Sequence, residues 1–115
     1  MKKKFEAELI MGHKNVTAVI VPFDPQKIWK KKPVPLDARR EGWLVRGKIE
    51  GVGFEGWIGN RWGRFFIIVS AALRKQAGIS VGDLLEISVE PTDSESALAI
   101  AREQAKLTTA PRRRT

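Results

Sequence analysis

The chain has no cysteine and no tyrosine, a single histidine, and no long apolar run. Without cysteine there is neither a disulfide framework nor a thiolate metal site, and the composition fits a reducing compartment, so a cytoplasmic protein is expected. With His13 alone, few groups exchange protons near neutral pH. His13 falls in a predicted hairpin turn, where a solvated side chain is the simplest account. A serine triad would need Ser70 or Ser80 to meet His13 and an aspartate, and no nucleophile-elbow pattern is present. The expectation is a protein that is not an enzyme, with no cofactor and no metal. No window approaches the roughly 18 continuous apolar residues of a membrane span. Met1-Lys2-Lys3-Lys4 imitates the basic start of a secretion signal, but Glu6 and Glu8 interrupt what would have to be its apolar run, so no signal peptide is expected.

What is abundant is positive charge, +8 over 115 residues, a length suited to one domain. Its placement matters more than its size. Lys2, Lys3, Lys4 and Arg112, Arg113, Arg114 supply six charges, leaving 15 basic against 13 acidic side chains, a net +2, for residues 5 to 111. Within that body, residues 27 to 48 hold eight basic groups against Asp37 and Glu41, a local +6, and the flanking segments are each −2. The basic character is two tails and one segment.

The order of elements is legible from pattern. Phe5 to Leu9 alternates apolar and acidic residues, and Val16 to Val21 is nearly all β-branched, which predicts two strands joined by a hairpin at Gly12 to Asn15. Asp24-Pro25 starts a helix that Pro33 and Pro35 stop by about Lys32. From Leu44 alternation returns, with Val45, Gly47 and Ile49 on one face and Leu44, Arg46, Lys48 and Glu50 on the other. Turns are expected at Gly51-Val52-Gly53 and at Gly59 to Gly63, flanking a strand Phe54 to Ile58. Phe65 to Val69 is apolar throughout, as in a strand covered on both faces. Ser70 caps a helix Ala71 to Ala77 that Gly78 ends, and a Gly82-Asp83 turn leads into Leu84 to Val89 with Leu85, Ile87 and Val89 inward. The successions Ala18 to Pro22 then helix, and Phe66 to Ser70 then helix, form an internal pseudo-repeat. After Pro91, Thr92 to Glu95 resembles a capping box, and a helix follows with a stripe at Ala97, Ile100, Ala101 and Leu107.

The fold expected is mainly β with short helices: a small closed or split barrel of about six to seven strands over residues 4–91, capped by two short helices. A C-terminal helix over 92–107 and basic disordered tails at 1–3 and 108–115 complete the chain.

Among side chains with chemical potential, Glu50 and Glu55 flank a turn and could form a carboxylate pair, though outward strand acids are the simpler account, and Asp83 is expected to bind backbone N–H groups of its own turn. The glycine-rich stretches do not open a helix after a strand, as a phosphate-binding loop does. The best candidate surface is the cluster Trp57, Arg61, Trp62 and Arg64, extended by Arg46 and Lys48, where a ring could stack on a base or bury in a partner. The competing account has Trp57 covering the barrel mouth and Trp62 folded back as a plug. Trp43 and Trp29 are expected in the core.

The framework Phe5-x-Ala7-x-Leu9, Val21-Pro22, Val45-Arg46-Gly47-x-Ile49-x-Gly51-x-x-Phe54, Leu73-Arg74-Lys75-x-Ala77-Gly78-Ile79 and Gly82-Asp83-x-Leu85-x-Ile87 resembles the bacterial domain of unknown function numbered nineteen hundred and five, over roughly residues 4 to 91. The resemblance implies a split β-barrel similar to those of transition-state regulators and antitoxins, and implies no catalytic residues. Members often precede a helical bacteriocin-protection or OmpD-associated domain. Only 24 residues follow Pro91, room for a stub, so a stand-alone barrel is expected and that role is not carried over.

Three functions compete at this point. A non-enzymatic binding module for a protein or a small apolar ligand leads, using the Trp57 and Trp62 surface or an internal pocket, with weak salt dependence. The alternative is a nucleic-acid-binding protein of the regulator or antitoxin type, with affinity falling steeply as salt rises. An enzyme comes third. A monomer is expected over an obligate dimer, because two echoing halves in one chain mimic a dimer.

Overall fold

The computed structural model describes residues 2–12, 15–61 and 63–106. Met1, His13, Lys14, Trp62 and residues 107–115 lie outside them, and with them the expected turn histidine, one ring of the candidate surface, Leu107 of the expected helix stripe and the C-terminal tail.

Among the described residues, eight strands form a nearly closed barrel-like sheet accompanied by three short helices. In chain order they are β1 (Lys3–Glu8), β2 (Ile10–Met11), β3 (Thr17–Val21), α1 (Pro25–Trp29), β4 (Val34–Pro35), β5 (Glu41–Ile49), β6 (Val52–Arg61), β7 (Arg64–Ile68), α2 (Ala71–Ala77), β8 (Leu84–Pro91) and α3 (Glu95–Ala105). Neighbours run β1-β8-β5-β6-β7-β3-β2, with β4 attached to β5. The two ends of that order, β1 and β2, are halves of one strand broken at Leu9. There the Leu9 N–H donates to the Asp83 carbonyl at 2.9 Å and the Gly82 N–H to the Leu9 carbonyl at 2.8 Å. The predicted hairpin is therefore only partly made: Met11 pairs with Thr17, but Phe5 and Ala7 pair with Ile87 and Leu85. Lys3, expected in a tail, opens β1 opposite Val89.

The pseudo-repeat has a spatial counterpart. β3 and β7 are each followed by a capped helix and pair antiparallel, Ala18 with Ile68 through Val21 with Phe65. Asp24 Oδ1 accepts the Gln26 N–H at 2.9 Å with Pro25 at the first turn, but α1 ends at Trp29 rather than Lys32. Lys30 adopts φ 56°, a left-handed cap, and the Lys31 carbonyl accepts the indole N–H of Trp43 at 2.8 Å. That long-range bond holds the chain outside the helix before the prolines act. α2 is bounded as expected, with Ser70 Oγ accepting the Leu73 N–H and Gly78 left-handed at φ 68°.

Two apolar layers follow from the strand alternation. Inside the barrel, Leu9, Val19, Val45, Ile49, Ile58 and Ile67 are essentially fully buried, joined by Leu85, Ile87 and Val89 of β8. Outside it, Leu44, Trp57 and Ile68 point the opposite way and are covered by Ala97, Ala101 and Ala105 of α3. β7 is thus covered on both faces, Ile67 inward and Ile68 under the helix. Leu44 shares the outer face with Arg46 and Lys48 but is 8% exposed, because α3 lies over it.

Both turns around β6 differ in register from the expectation. Ile49 pairs with Val52, so the first loop is Glu50-Gly51, both at positive φ (49° and 80°), as a two-residue hairpin loop between twisted strands demands. The second loop lies between the paired Arg61 and Arg64, and Gly59 and Asn60 belong to β6.

Candidate functional site

Of the six residues singled out from sequence, the five that are described do not form one surface. Arg46 and Lys48 stand exposed on the outer face of β5, as expected. Arg46 Nε is 3.3 Å from Glu90 Oε2, and in register it faces Glu55 on one side and Glu90 on the other. With Glu6, Glu86, Glu90 and Glu55 on neighbouring strands, that face is mixed in sign rather than basic. Arg61 lies six residues along β6 from Glu55, about 20 Å away at the rise of an extended strand. Arg64 is exposed across the ladder from Arg61.

Trp57 needs a correction. It lies on the outer face of the sheet, but it is 2% exposed and is not available for stacking. α3 covers it, its Nε1 donates to Gln104 Oε1 at 3.1 Å, and Phe66 meets it edge-on with ring centroids 5.6 Å apart. The helix is fastened at its other end by Glu55. The carboxylate accepts the Ser94 hydroxyl at 2.7 Å and the Ser96 hydroxyl, while Ser94 Oγ also caps the helix by accepting the Ala97 N–H at 3.1 Å. The hydrogen bond from Ser96, then that from Ser94, holds the Glu55 carboxyl below its ordinary pKa, with Arg46 adding a smaller electrostatic contribution. Glu50, the other acid of the supposed pair, is engaged separately, accepting the Glu86 N–H at 2.7 Å.

Arg61 instead joins two arginines that pattern reasoning did not select. β4 pairs with the start of β5, Val34 with Gly42 and Pro35 with Glu41, and the connection between them is a tight turn. Asp37 Oδ1 accepts the N–H groups of Arg39 at 2.8 Å and Arg40 at 2.7 Å, and the Leu36 N–H donates to the Arg40 carbonyl at 2.8 Å. The bond from Arg39 lowers the Asp37 pKa most; desolvation opposes it, and the bond from Arg40 with the charges of both arginines keeps the net shift downward. Leu36, 5% exposed beneath α3, anchors the turn. Arg40 Nε donates to the Ala105 carbonyl at the end of α3, at 3.3 Å.

Between this turn and the far end of β6 lies a cleft of about 330 Å³. Arg39, Arg40 and Arg61 line it with Asn60 and Glu41, over a floor of Trp43, Trp57 and Phe66. Three guanidinium groups against one carboxylate give its walls a net charge of +2. The signal that could have found it is the string Asp37-Ala38-Arg39-Arg40, an aspartate placed to bind the backbone two and three residues on. The β5–β6 ladder does the rest, pairing Trp43 with Ile58 and so bringing the chain just before Trp43 near Asn60 and Arg61.

A family model described as Domain of unknown function (DUF1905) matches residues 5–89. The chain belongs to this family. No curated protein matches it. The DUF1905 match runs from β1 into β8 and contains Arg39, Arg40, Asn60 and Arg61, whereas Gln104 and Ala105 of α3 lie beyond it. No helix among the described residues is long and apolar enough to cross a membrane.

Proposed function

We propose that this DUF1905 protein is a non-enzymatic binding module that takes a negatively charged ligand in the cleft between the β4–β5 turn and the end of β6. The observation that carries the reading is the convergence of Arg39, Arg40 and Arg61 on one cavity. Guanidinium groups present planar sets of donors suited to carboxylate and phosphate oxygens. A concave site with aromatic walls and a few polar groups is the usual form of a small-molecule site. The small apolar ligand expected from sequence fits less well, since the barrel interior is filled by Leu9, Val45, Ile49, Ile58 and Ile67. The alternative, nucleic-acid binding through the tails and an Arg/Lys surface, is weakened at Arg46 and Lys48 by the acids interleaved with them on the outer face. The barrel is completed by strands of one chain, which supports a monomer, and the lack of cysteine supports a cytoplasmic setting.

Thermal unfolding in the presence of millimolar phosphate, pyrophosphate or citrate tests the reading, because a ligand that binds only the folded state raises the melting temperature by mass action. The wild-type protein and Arg64→Gln are expected to shift upward, and the double variant Arg39→Gln/Arg61→Gln is not. Equal shifts in all three proteins would remove the cleft from consideration.

A further inference from the structure

We infer that the ligand of this cleft is a phosphate monoester on a small hydroxylated body, of the size of a sugar phosphate or a nucleoside monophosphate. The inference rests on the reading of the cleft as an anion site. Charge is the first argument. The lining carries three arginines and Glu41, a net +2, and a phosphate monoester carries about −1.5 to −2 near pH 7. A single carboxylate carries only about half that charge.

The second argument is the division of the walls. The basic groups come from the β4–β5 turn, Arg39 and Arg40, and from the end of β6, Arg61, while Asn60 and Glu41 lie along the same rim. An amide both donates and accepts, and a carboxylate only accepts. Glu41 would repel a polyanion but would accept hydrogen bonds from hydroxyl groups, so its presence selects a body rich in hydroxyls attached to one anionic end. Beneath them, the half-buried Phe66, beside the largely buried Trp43, supplies apolar surface for a sugar or base ring. The cavity of about 330 Å³ lies at the lower bound of small-molecule sites, which limits the occupant to a molecule of roughly mononucleotide size.

Arg40 is pre-positioned for this task. Its Nε is held by the Ala105 carbonyl and its backbone by Asp37 and Leu36, so the outer nitrogens of the guanidinium are presented by a fixed stem.

Calorimetric titration of the full chain with adenosine 5′-monophosphate, ribose 5-phosphate, adenosine, citrate and a single-stranded oligonucleotide tests the inference. Both phosphate esters are expected to bind, and adenosine at least about tenfold more weakly, since charge-assisted bonds are lost. Phosphate-ester affinity is expected to rise as pH increases through about 6, where the second phosphate proton leaves. Arg61→Gln and Arg39→Gln should each lose about tenfold, and Arg64→Gln should not. Citrate binding as tightly as the phosphate esters, with the same dependence on Arg39 and Arg61, would overturn the ligand class and leave the anion site standing. An oligonucleotide binding more than about tenfold tighter than the monophosphate would overturn the small-ligand inference in favour of a strand. Loss of response to every anion, with the arginine variants indistinguishable from wild type, would overturn both the inference and the reading beneath it.

Discussion

Replacing Trp57 separates a ring buried under a helix from a ring on a binding surface. In Trp57→Ala the lost volume lies between the sheet and α3, against Leu44, Phe66, Ala97, Ala101 and Ala105, with Gln104 Oε1 deprived of its donor. Truncating a buried aromatic to alanine costs about 3–5 kcal/mol, and the side chain here is 2% exposed, so the upper half of that range is expected. Small domains have about 5–15 kcal/mol in total, so the variant should be severely weakened or unfolded at physiological temperature. At about 4 °C per kcal/mol for a chain of this length, the melting temperature should fall by about 16 °C or more. Trp57→Phe keeps most of the packing and removes the hydrogen bond to Gln104, so its cost should be about 1–2 kcal/mol. A double-mutant cycle with Gln104→Ala assigns the shared part to that bond. Equilibrium urea unfolding followed by far-ultraviolet circular dichroism measures all of these. A Trp57→Ala variant within about 0.5 kcal/mol of wild type, the normal range for a surface substitution, would refute the packing of α3 on the barrel.

Three further outcomes are expected. Because hydrogen bonds from Ser96 and Ser94 lower the Glu55 pKa in the folded state, its stabilising contribution is complete above the ordinary value of 4.5 and is lost as pH falls below it towards the folded value. Glu55→Gln should therefore flatten the acid limb of a stability-versus-pH curve, and an unchanged limb would contradict the fastening of α3. Gly47→Ala should cost about 2–3 kcal/mol, because a Cβ there would overlap the Ser88 carbonyl where β5 and β8 approach. The nearby strand substitution Gly53→Ala, with no atom closer than 3.9 Å, should cost under 1 kcal/mol, and denaturant midpoints compare the two. Arg46→Ala should change stability by no more than about 1 kcal/mol and leave anion binding intact, since its ion pair with Glu90 is solvent-exposed.

Much of the frame can be read directly from the residues. The Ser70 cap and the Gly78 stop bound α2, and the alternation of Leu85, Ile87 and Val89 sets the face of β8, because each signal is local. The sequence places the β5–β6 turn at Gly51 to Gly53 and the next strand from Phe54, whereas β6 begins at Val52, since glycines at 51 and 53 allow two loops and only the pairing of Ile49 with Val52 selects one. Trp57 and Leu44 looked exposed because strand alternation reports two faces without saying what covers the second. Their cover is a stripe of alanines at positions 97, 101 and 105, whose small side chains let α3 approach the sheet. Weak hydrophobicity made that stripe hard to distinguish from a solvated helix. The cleft was hidden for a different reason: Arg39 and Arg61 are 22 residues apart and meet only through the β4–β5 turn and the β5–β6 ladder.

Two-dimensional amide nuclear magnetic resonance of the ¹⁵N-labelled chain, titrated with adenosine 5′-monophosphate, tests the central claim most directly. The account predicts saturable shifts concentrated at Arg39, Arg40, Asn60 and Arg61, with Arg46, Lys48 and the strand β8 unmoved. Shifts confined to the outer face around Arg46 and Lys48, or none at millimolar ligand, would contradict it.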